Sequence, residues 1–326
     1  MLSAKTAPSM AGAATRRAAA MPRPATSRRA PKAARAVAAS AASPTKEKGD
    51  VTVFAPSETS TRPVLPALIS KEQVVALEAE LDQGAAIAAL RRFNVNLRNL
   101  PADRWEAVLT PVFKELCYNL ESFNPAFTSC LLMVQRTIGV SDYERRDMAL
   151  KNLIQPLAGE YGMHNSQPQL KTHRELFSDF FASLFNYPLE DMIASDASAP
   201  AAQFMWSSMS RDITSGGGRE SEAMAQASYA LGYNLAMEYL ADYEKTWMLD
   251  SFRALDQSIF SGLGRNVDWV FLEVHAEGEA EHAVIGHNAV LSFVPSEHAH
   301  VMRQAMRDHD RDMAAFYNHA ADLLEA

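Results

Sequence analysis

The chain has 326 residues, of which 48% are hydrophobic, and its formal net charge is −8 at pH 7. Ten of its 31 basic residues but only two of its 39 acidic residues lie in residues 1–50, so residues 51–326 carry a net charge of −16. A body this acidic argues against nucleic acid as a partner. The absence of any uninterrupted apolar run of about 18 residues argues against a membrane span.

Residues 1–50 form a low-complexity stretch rich in Ala, Ser and Arg. An Arg-rich, Ser-rich and acid-poor N-terminus is typical of an organellar transit peptide. The stretch Ala34–Ser40 is similar to the cleavage sites of algal chloroplast transit peptides. We therefore predict a disordered chloroplast transit peptide that directs the protein to the stroma, with the mitochondrion as second choice and a basic nucleic-acid-binding tail as the alternative. Residues 51–69, which contain three prolines, are predicted to form an extended lead-in.

From Ser70 onward, apolar residues recur at helical spacing, and no alternating run indicates a strand. Ser70 is the predicted N-cap of a helix over 71–97. A second helix opens at Pro101 and runs to about Leu120. Further helices are predicted at 124–139, 141–161, 170–186, 199–213, 220–258, 265–284 and 296–324. These elements predict one all-α domain over residues 70–326, in which Cys117 and Cys130 are buried small hydrophobes.

The helix predicted at 265–284 holds the pattern His-x3-Glu-x2-His, formed by His275, Glu279 and His282. Offsets of four and seven residues return to one face of an α-helix. Two imidazoles and a carboxylate on one face are a ligand set for iron, manganese or zinc. The alternative is a solvated acidic face, since three further glutamates lie in the same segment.

Polar residues also interrupt apolar faces of other helices. Glu238 lies at helical spacing from apolar neighbours, so its carboxylate faces the predicted core, and Asp242 is a rival one turn later. A buried carboxylate must be neutralised, paired or bound to a cation. Glu160 ends the helix predicted at 141–161, where either His173 or His164 could join it.

Together, the candidate metal ligands are three carboxylates and three imidazoles: Glu160, His173, Glu238, His275, Glu279 and His282. Oxygen and nitrogen ligands without a thiolate suit two Fe(II) ions that activate O2, with manganese as the alternative. Helical bundles hold such di-iron sites between facing helices.

These motifs resemble those of the haem-oxygenase-like di-iron oxidase and oxygenase superfamily, which includes the chlamydial protein associating with death domains. The segment from His275 to His282 matches the family pattern His-x3-Asp-x2-His, with Glu279 in place of Asp. Ala230–Glu238 is similar to the helix that carries a family glutamate. The third match is the Glu160-Tyr-Gly turn followed by His173-Arg-Glu-Leu-Phe, where the long gap keeps His164 as a competitor.

The resemblance covers about residues 140–290. It implies a haem-oxygenase-like helical bundle, here with an N-terminal helical extension, and a metal-binding site for two Fe(II) ions. It further implies a non-haem iron-dependent oxidoreductase, an oxidase or oxygenase that uses O2 and an electron donor to oxidise a small-molecule substrate. The predicted transit peptide would place this enzyme in the chloroplast. Haem oxygenase activity is not expected, because the chain has no histidine before His164. The alternative is a non-catalytic bundle that binds a tetrapyrrole, a lipid or a protein partner, and a homodimer is left open.

The last predicted helix carries further histidines beside acidic residues. His309 and Asp312 stand three positions apart, close enough for a second site. Charged residues surround them, so we predict that this cluster belongs to the solvated surface.

Overall fold

The computed structural model describes residues 66–163 and 171–326, except for the side chains of residues 277–281. The predicted transit peptide, residues 51–65 of the lead-in, His164 and the side chain of Glu279 lie outside the described residues. Within the described ranges, the chain is almost entirely helical, and its β-structure there is a single bridge between Leu68 and Pro295. The predicted all-α fold is therefore confirmed. Among the described helices, none is both long and apolar enough to cross a membrane.

Ten α-helices make up the described part of the chain. Their bounds are α1 Lys71–Leu81, α2 Ala85–Arg98, α3 Trp105–Gln135, α4 Tyr143–Glu160, α5 His173–Phe185, α6 Leu189–Ser195, α7 Pro200–Ser215, α8 Ala223–Leu255, α9 Val270–Phe293 and α10 Ala299–Glu325. A π-helical turn, Asp256–Phe260, follows α8. The short α6 was not predicted, and α9 extends beyond its predicted end.

The helix predicted over 71–97 is two helices, which separate at Gly84. Ser70 caps α1 as predicted, through a hydrogen bond from the backbone N–H of Gln73 to its hydroxyl. α2 receives its cap from α10, where the Asp310 carboxylate accepts hydrogen bonds from the backbone N–H groups of Ala85 and Ala86 at 3.0 and 2.9 Å. A Cβ atom at position 84 would lie 2.2 Å from Oδ1 of Asp310. Only glycine leaves room for this capping carboxylate.

The helices predicted to end near Leu120 and to begin at 124 are one helix, α3, which continues through Pro125. Apolar residues on both sides of this proline are buried against the same core, and their burial offsets the backbone hydrogen bond that a proline cannot make. The two free cysteines are buried in α3, as predicted. Burial raises the pKa of Cys117 to about 12, so this thiol is not a ready nucleophile.

The centre of the bundle is α8, in which every residue from Ala227 to Glu244 is buried. A helix that is buried on all sides must be covered by several neighbours, and α9, α10, α2 and α3 pack around it. Gly232 lets α10 approach closely, because a Cβ atom there would lie 3.0 Å from Cα of Met302. Residues on opposite faces of α8 therefore pack against different helices.

The described end of the lead-in is tied to the corner between α9 and α10. The backbone N–H of Ile69 donates to the carbonyl of Val294 at 2.9 Å, and the N–H of Ser296 donates to the carbonyl of Ala67 at 2.8 Å. This short pairing fixes where α1 begins relative to the helix that carries His275 and His282.

Candidate metal centre

Three of the predicted ligands come together between α4, α5 and α9. Glu160 is the last residue of α4, His173 is the first of α5, and His275 lies in the second turn of α9. All three are buried, and one potential ligand atom of each lies within 4.8 Å of the others. Nδ1 of His173 is 2.8 Å from Oε1 of Glu160, and the ring centroids of His173 and His275 are 4.2 Å apart. Two imidazoles and a carboxylate thus converge from three helices.

Local sequence explains why Glu160 and His173 are held at helix ends. The chain leaves α4 through Gly162, whose φ of 73° favours glycine. α5 begins at His173 because Thr172 and Glu175 form a capping box, in which each side chain accepts a hydrogen bond from the backbone N–H of the other residue. A carboxylate is therefore fixed at the C-terminus of α4, facing an imidazole at the N-terminus of α5.

His275 is held in one orientation by its own helix. Its Nδ1 atom lies 2.6 Å from the backbone carbonyl oxygen of Phe271, and the carbonyl can only accept a hydrogen bond. The proton therefore sits on Nδ1, which leaves the Nε2 lone pair for a metal. Burial, followed by the nearby His173 and Lys245, holds the pKa of His275 well below its usual range. The imidazole is neutral near pH 7, as a metal ligand must be.

Two further predicted ligands lie on the facing sides of α8 and α9. Oε2 of Glu238 is 3.5 Å from Nδ1 of His282, and Glu238 is fully buried. His282 is close enough to His275 to contribute to the lowered pKa of that residue. Asp242 is also buried, but it is not among the three residues whose ligand atoms converge. Glu279 and His164 lie outside the described side chains, so their predicted roles stay predictions.

The charges and dipoles of the first cluster suit a bound cation. Helix dipoles disfavour a carboxylate at the C-terminus of α4 and an imidazolium at the N-terminus of α5. A cation beside Glu160, with both histidines neutral, removes each conflict. Two ligands of one ion, each at about 2.1 Å, are at most about 4.2 Å apart, so the observed spacing is close to that of a formed site. The thiolate-free donor set fits iron or manganese.

A cleft of about 780 Å³, including the space open to solvent, adjoins this cluster. Glu160 and His275 form part of its wall, and most of the other wall residues are apolar. Methionines contribute a large share: Met205, Met209, Met237, Met248 and Met313. Flexible methionine side chains adapt to ligands of irregular shape. The arrangement is that of a small-molecule site with a few polar groups.

Two charged residues of the cleft, Glu244 and Lys245, were not among the predicted site residues. Nζ of Lys245 is 2.5 Å from Oε1 of Glu244, and both side chains are largely buried. A helical stripe through Met237, Ala241 and Met248 on α8 marks the face that lines the cleft. The helical spacing of these residues in the sequence shows that the charged pair shares a face with them. It does not show that this face lines a cleft.

The prediction that His309 and Asp312 belong to a solvated surface is wrong. Their exposed fractions are 1% and 3%. α10 packs against α2, α7 and α8, so its buried face is wider than its apolar stripe. Asp312 is neutralised by Arg311 and accepts a hydrogen bond from the hydroxyl of Tyr233 at 3.2 Å. His309 lines the cleft.

Fold and site together define an all-α bundle with a buried Glu-His-His cluster that opens into an apolar cleft. A CADD-like protein of unknown function from Nostoc punctiforme has a similar fold, with a TM-score of 0.58 at 14% sequence identity. The match covers 77% of this chain and 96% of that chain. At this identity the likeness concerns the fold alone. No family model matches the chain, and no curated protein matches it.

Proposed function

We propose that the chain is a non-haem di-iron oxidase or oxygenase that activates O2 to oxidise a small organic substrate. The observation that carries this proposal is the buried convergence of Glu160, His173 and His275, with Nε2 of His275 left available by the Phe271 carbonyl. Two Fe(II) ions would supply the electrons and open coordination positions for O2. The N. punctiforme protein of similar fold is CADD-like. CADD, the chlamydial protein associating with death domains, belongs to the superfamily whose motifs this sequence resembles.

In this proposal, each described residue has a defined task. Glu160, His173 and His275 hold the first ion. Glu238 and His282 belong to the second, together with Glu279. The apolar wall of the cleft binds the substrate and excludes water from the reacting face, which strengthens electrostatic interactions there. Lys245 places a positive charge near His275 and so favours the neutral form of that ligand.

A non-catalytic role is the second candidate, and the apolar lining of the cleft favours it. A bundle with a methionine-rich cleft could bind a tetrapyrrole or a lipid without any reaction. Such a protein would have no need for buried imidazoles with one fixed tautomer. Iron binding and O2 consumption therefore separate the two candidates.

The test is to purify the protein anaerobically, add Fe(II), remove unbound metal and count iron by mass spectrometry. We expect near two irons per chain in the wild type and a loss of most of this iron in His275→Ala. His300→Ala is the matched control, since His300 is exposed, and it should bind as much iron as the wild type. Mixing with O2 should then consume O2 and produce a transient visible absorption band. Iron at background level, or equal iron in His275→Ala, would contradict the proposal.

We also propose that the protein acts in the chloroplast. The support is the Arg-rich, acid-poor composition of residues 1–50. A fluorescent protein fused behind residues 1–50 should accumulate in chloroplasts of algal cells. A control fusion with the arginines of this segment replaced by glutamine should remain in the cytosol, whereas mitochondrial fluorescence would support the second choice.

A further inference from the structure

His309 is a polar side chain buried at the cleft without a polar partner. It is 1% exposed, and neither of its ring nitrogens has a hydrogen-bond partner among the described residues. Nearly all buried polar groups in proteins are hydrogen-bonded, so an exception needs an explanation. Its ring packs edge-on against Tyr233, with the centroids 4.9 Å apart. The imidazole is thus held in place by packing, and both of its nitrogens are available to a ligand.

The chemical state of His309 limits what it can bind. Burial lowers its pKa to about 3, so the ring is neutral near pH 7. A neutral imidazole offers one N–H donor and one acceptor nitrogen, which suits a group that both donates and accepts. Two charged residues of the wall, Glu244 and Lys245, pair with each other. The net charge of this ion pair is zero, so the pair does not favour a charged ligand.

His309 and the metal cluster reach the cleft from different directions. α10, which carries His309, packs against α2, α7 and α8, whereas α9, which carries His275, packs against α4, α5 and α8. Both histidines nevertheless line the same cleft. A molecule in this cleft can therefore contact His309 with one part and lie beside the cluster with another.

We propose that His309 is a substrate-binding residue that receives the one uncharged hydrogen-bonding group, a hydroxyl, of an otherwise apolar substrate. The apolar remainder would lie along the methionines of the cleft, with the bond to be oxidised near Glu160 and His275. This inference rests on the proposed function for the reaction but not for the binding, because His309 makes no hydrogen bond to any described ligand of the metal. Binding and metal loading can thus be tested separately.

The test uses three probes of equal chain length, namely 1-octanol, octanoate and octylammonium, with binding to the metal-free full chain measured by calorimetry. We expect 1-octanol to bind at least tenfold more tightly than either charged probe. His309→Phe should weaken 1-octanol binding about tenfold, whereas His309→Gln, which keeps a donor and an acceptor, should stay within about threefold of the wild type. His300→Phe, at an exposed position of the same helix and outside the cleft wall, is the matched control and should change affinity little.

A second measurement uses the wild-type protein alone, so it does not depend on whether a variant folds. In wild-type protein with ¹⁵N-labelled histidine, 1-octanol should shift the ring nitrogen signals of His309. Equal affinity of His309→Phe and wild type, equal binding of a charged probe, no binding of 1-octanol, or unshifted signals would each overturn the inference.

The metal serves as an independent readout. His173→Ala, at a predicted ligand outside the cleft wall, should lose iron and keep its preference for 1-octanol. Absence of iron from the wild type with this preference intact would contradict the proposed function alone. Normal iron loading without the preference would contradict the role of His309 alone.

Discussion

Nδ1 of His275 lies 2.6 Å from the backbone carbonyl oxygen of Phe271, one turn earlier in α9. This contact assigns the ring proton to Nδ1 before any metal arrives, because a carbonyl oxygen cannot donate. A ligand with its tautomer already fixed loses less freedom on binding an ion. The geometry that orients His275 thus belongs to the apoprotein and can be measured there.

The first prediction concerns this tautomer. In the metal-free protein at pH 7, ¹⁵N spectra of labelled histidine should show His275 neutral with its proton on Nδ1, since burial keeps the pKa well below the usual range. Comparison with spectra of His275→Ala assigns the signal. A dominant Nε2–H form would contradict the role of the Phe271 carbonyl.

The second prediction concerns the number of ions. His282 pairs with Glu238, whereas the converging cluster of the described residues is complete without it. His282→Ala should therefore keep about one iron per chain, whereas His173→Ala, like His275→Ala, should lose most of its iron. Metal analysis of both variants after equal Fe(II) exposure makes the comparison. Equal loss in the two variants would show that the ions bind only as a pair.

The third prediction concerns the pH dependence of stability. The pKa of His309 is about 3 in the folded state and about 6.5 in an unfolded chain, so the unfolded state takes up a proton first as the pH falls. Between pH 7.5 and 5.0 this single residue should reduce the free energy of unfolding by about 2 kcal/mol. His309→Phe should lose that part of the decrease.

Urea unfolding at the two pH values measures this difference. Other titrating groups contribute nearly equally to wild type and variant, so they cancel in the comparison. At pH 7.5 the variant should not be less stable than the wild type, because a buried imidazole without hydrogen bonds costs about 1–3 kcal/mol. An identical pH dependence would mean that His309 finds a polar partner in solution.

The fourth prediction concerns the break between α1 and α2. Asp310→Ala removes the cap of α2 and should cost about 1 kcal/mol in the free energy of unfolding. Gly84→Ala should cost more, because the added Cβ must displace the carboxylate of Asp310. The double variant should be less destabilised than the sum of the two, since both changes act on one contact. Gly262→Ala, where nothing lies within 4 Å of the added Cβ, is the control.

Much of the helical architecture follows from local sequence, and the exceptions have long-range causes. The Ser70 cap and the capping box at Thr172 are local signals, and both begin helices in the structure. The break at Gly84 depends on Asp310, far along the chain, and no local pattern contains that contact. The continuation of α3 through Pro125 likewise depends on burial against other helices.

The candidate site likewise contains residues that the sequence predicts and residues that depend on the packing of distant helices. His275 and His282 share a face because of the helical period alone, and Glu238 interrupts an apolar face. The role of His309 in the cleft could not be predicted, because it depends on how α10 is rotated against α8. Its acidic neighbours favoured a surface position, whereas Asp312 is buried because Arg311 pairs with it and the hydroxyl of Tyr233 donates a hydrogen bond to it.

The burial of α8 on every side has a consequence for how this protein can change. Each residue from Ala227 to Glu244 is buried, so most substitutions there alter stability, and those at Met237, Glu238 or Ala241 also alter the metal centre or the cleft. The cleft residues of α3 and α7 lie on helices that also have exposed faces, and these helices can shift at lower cost. New binding preferences should therefore arise through α3 and α7, because a change in α8 affects both the candidate metal centre and the cleft.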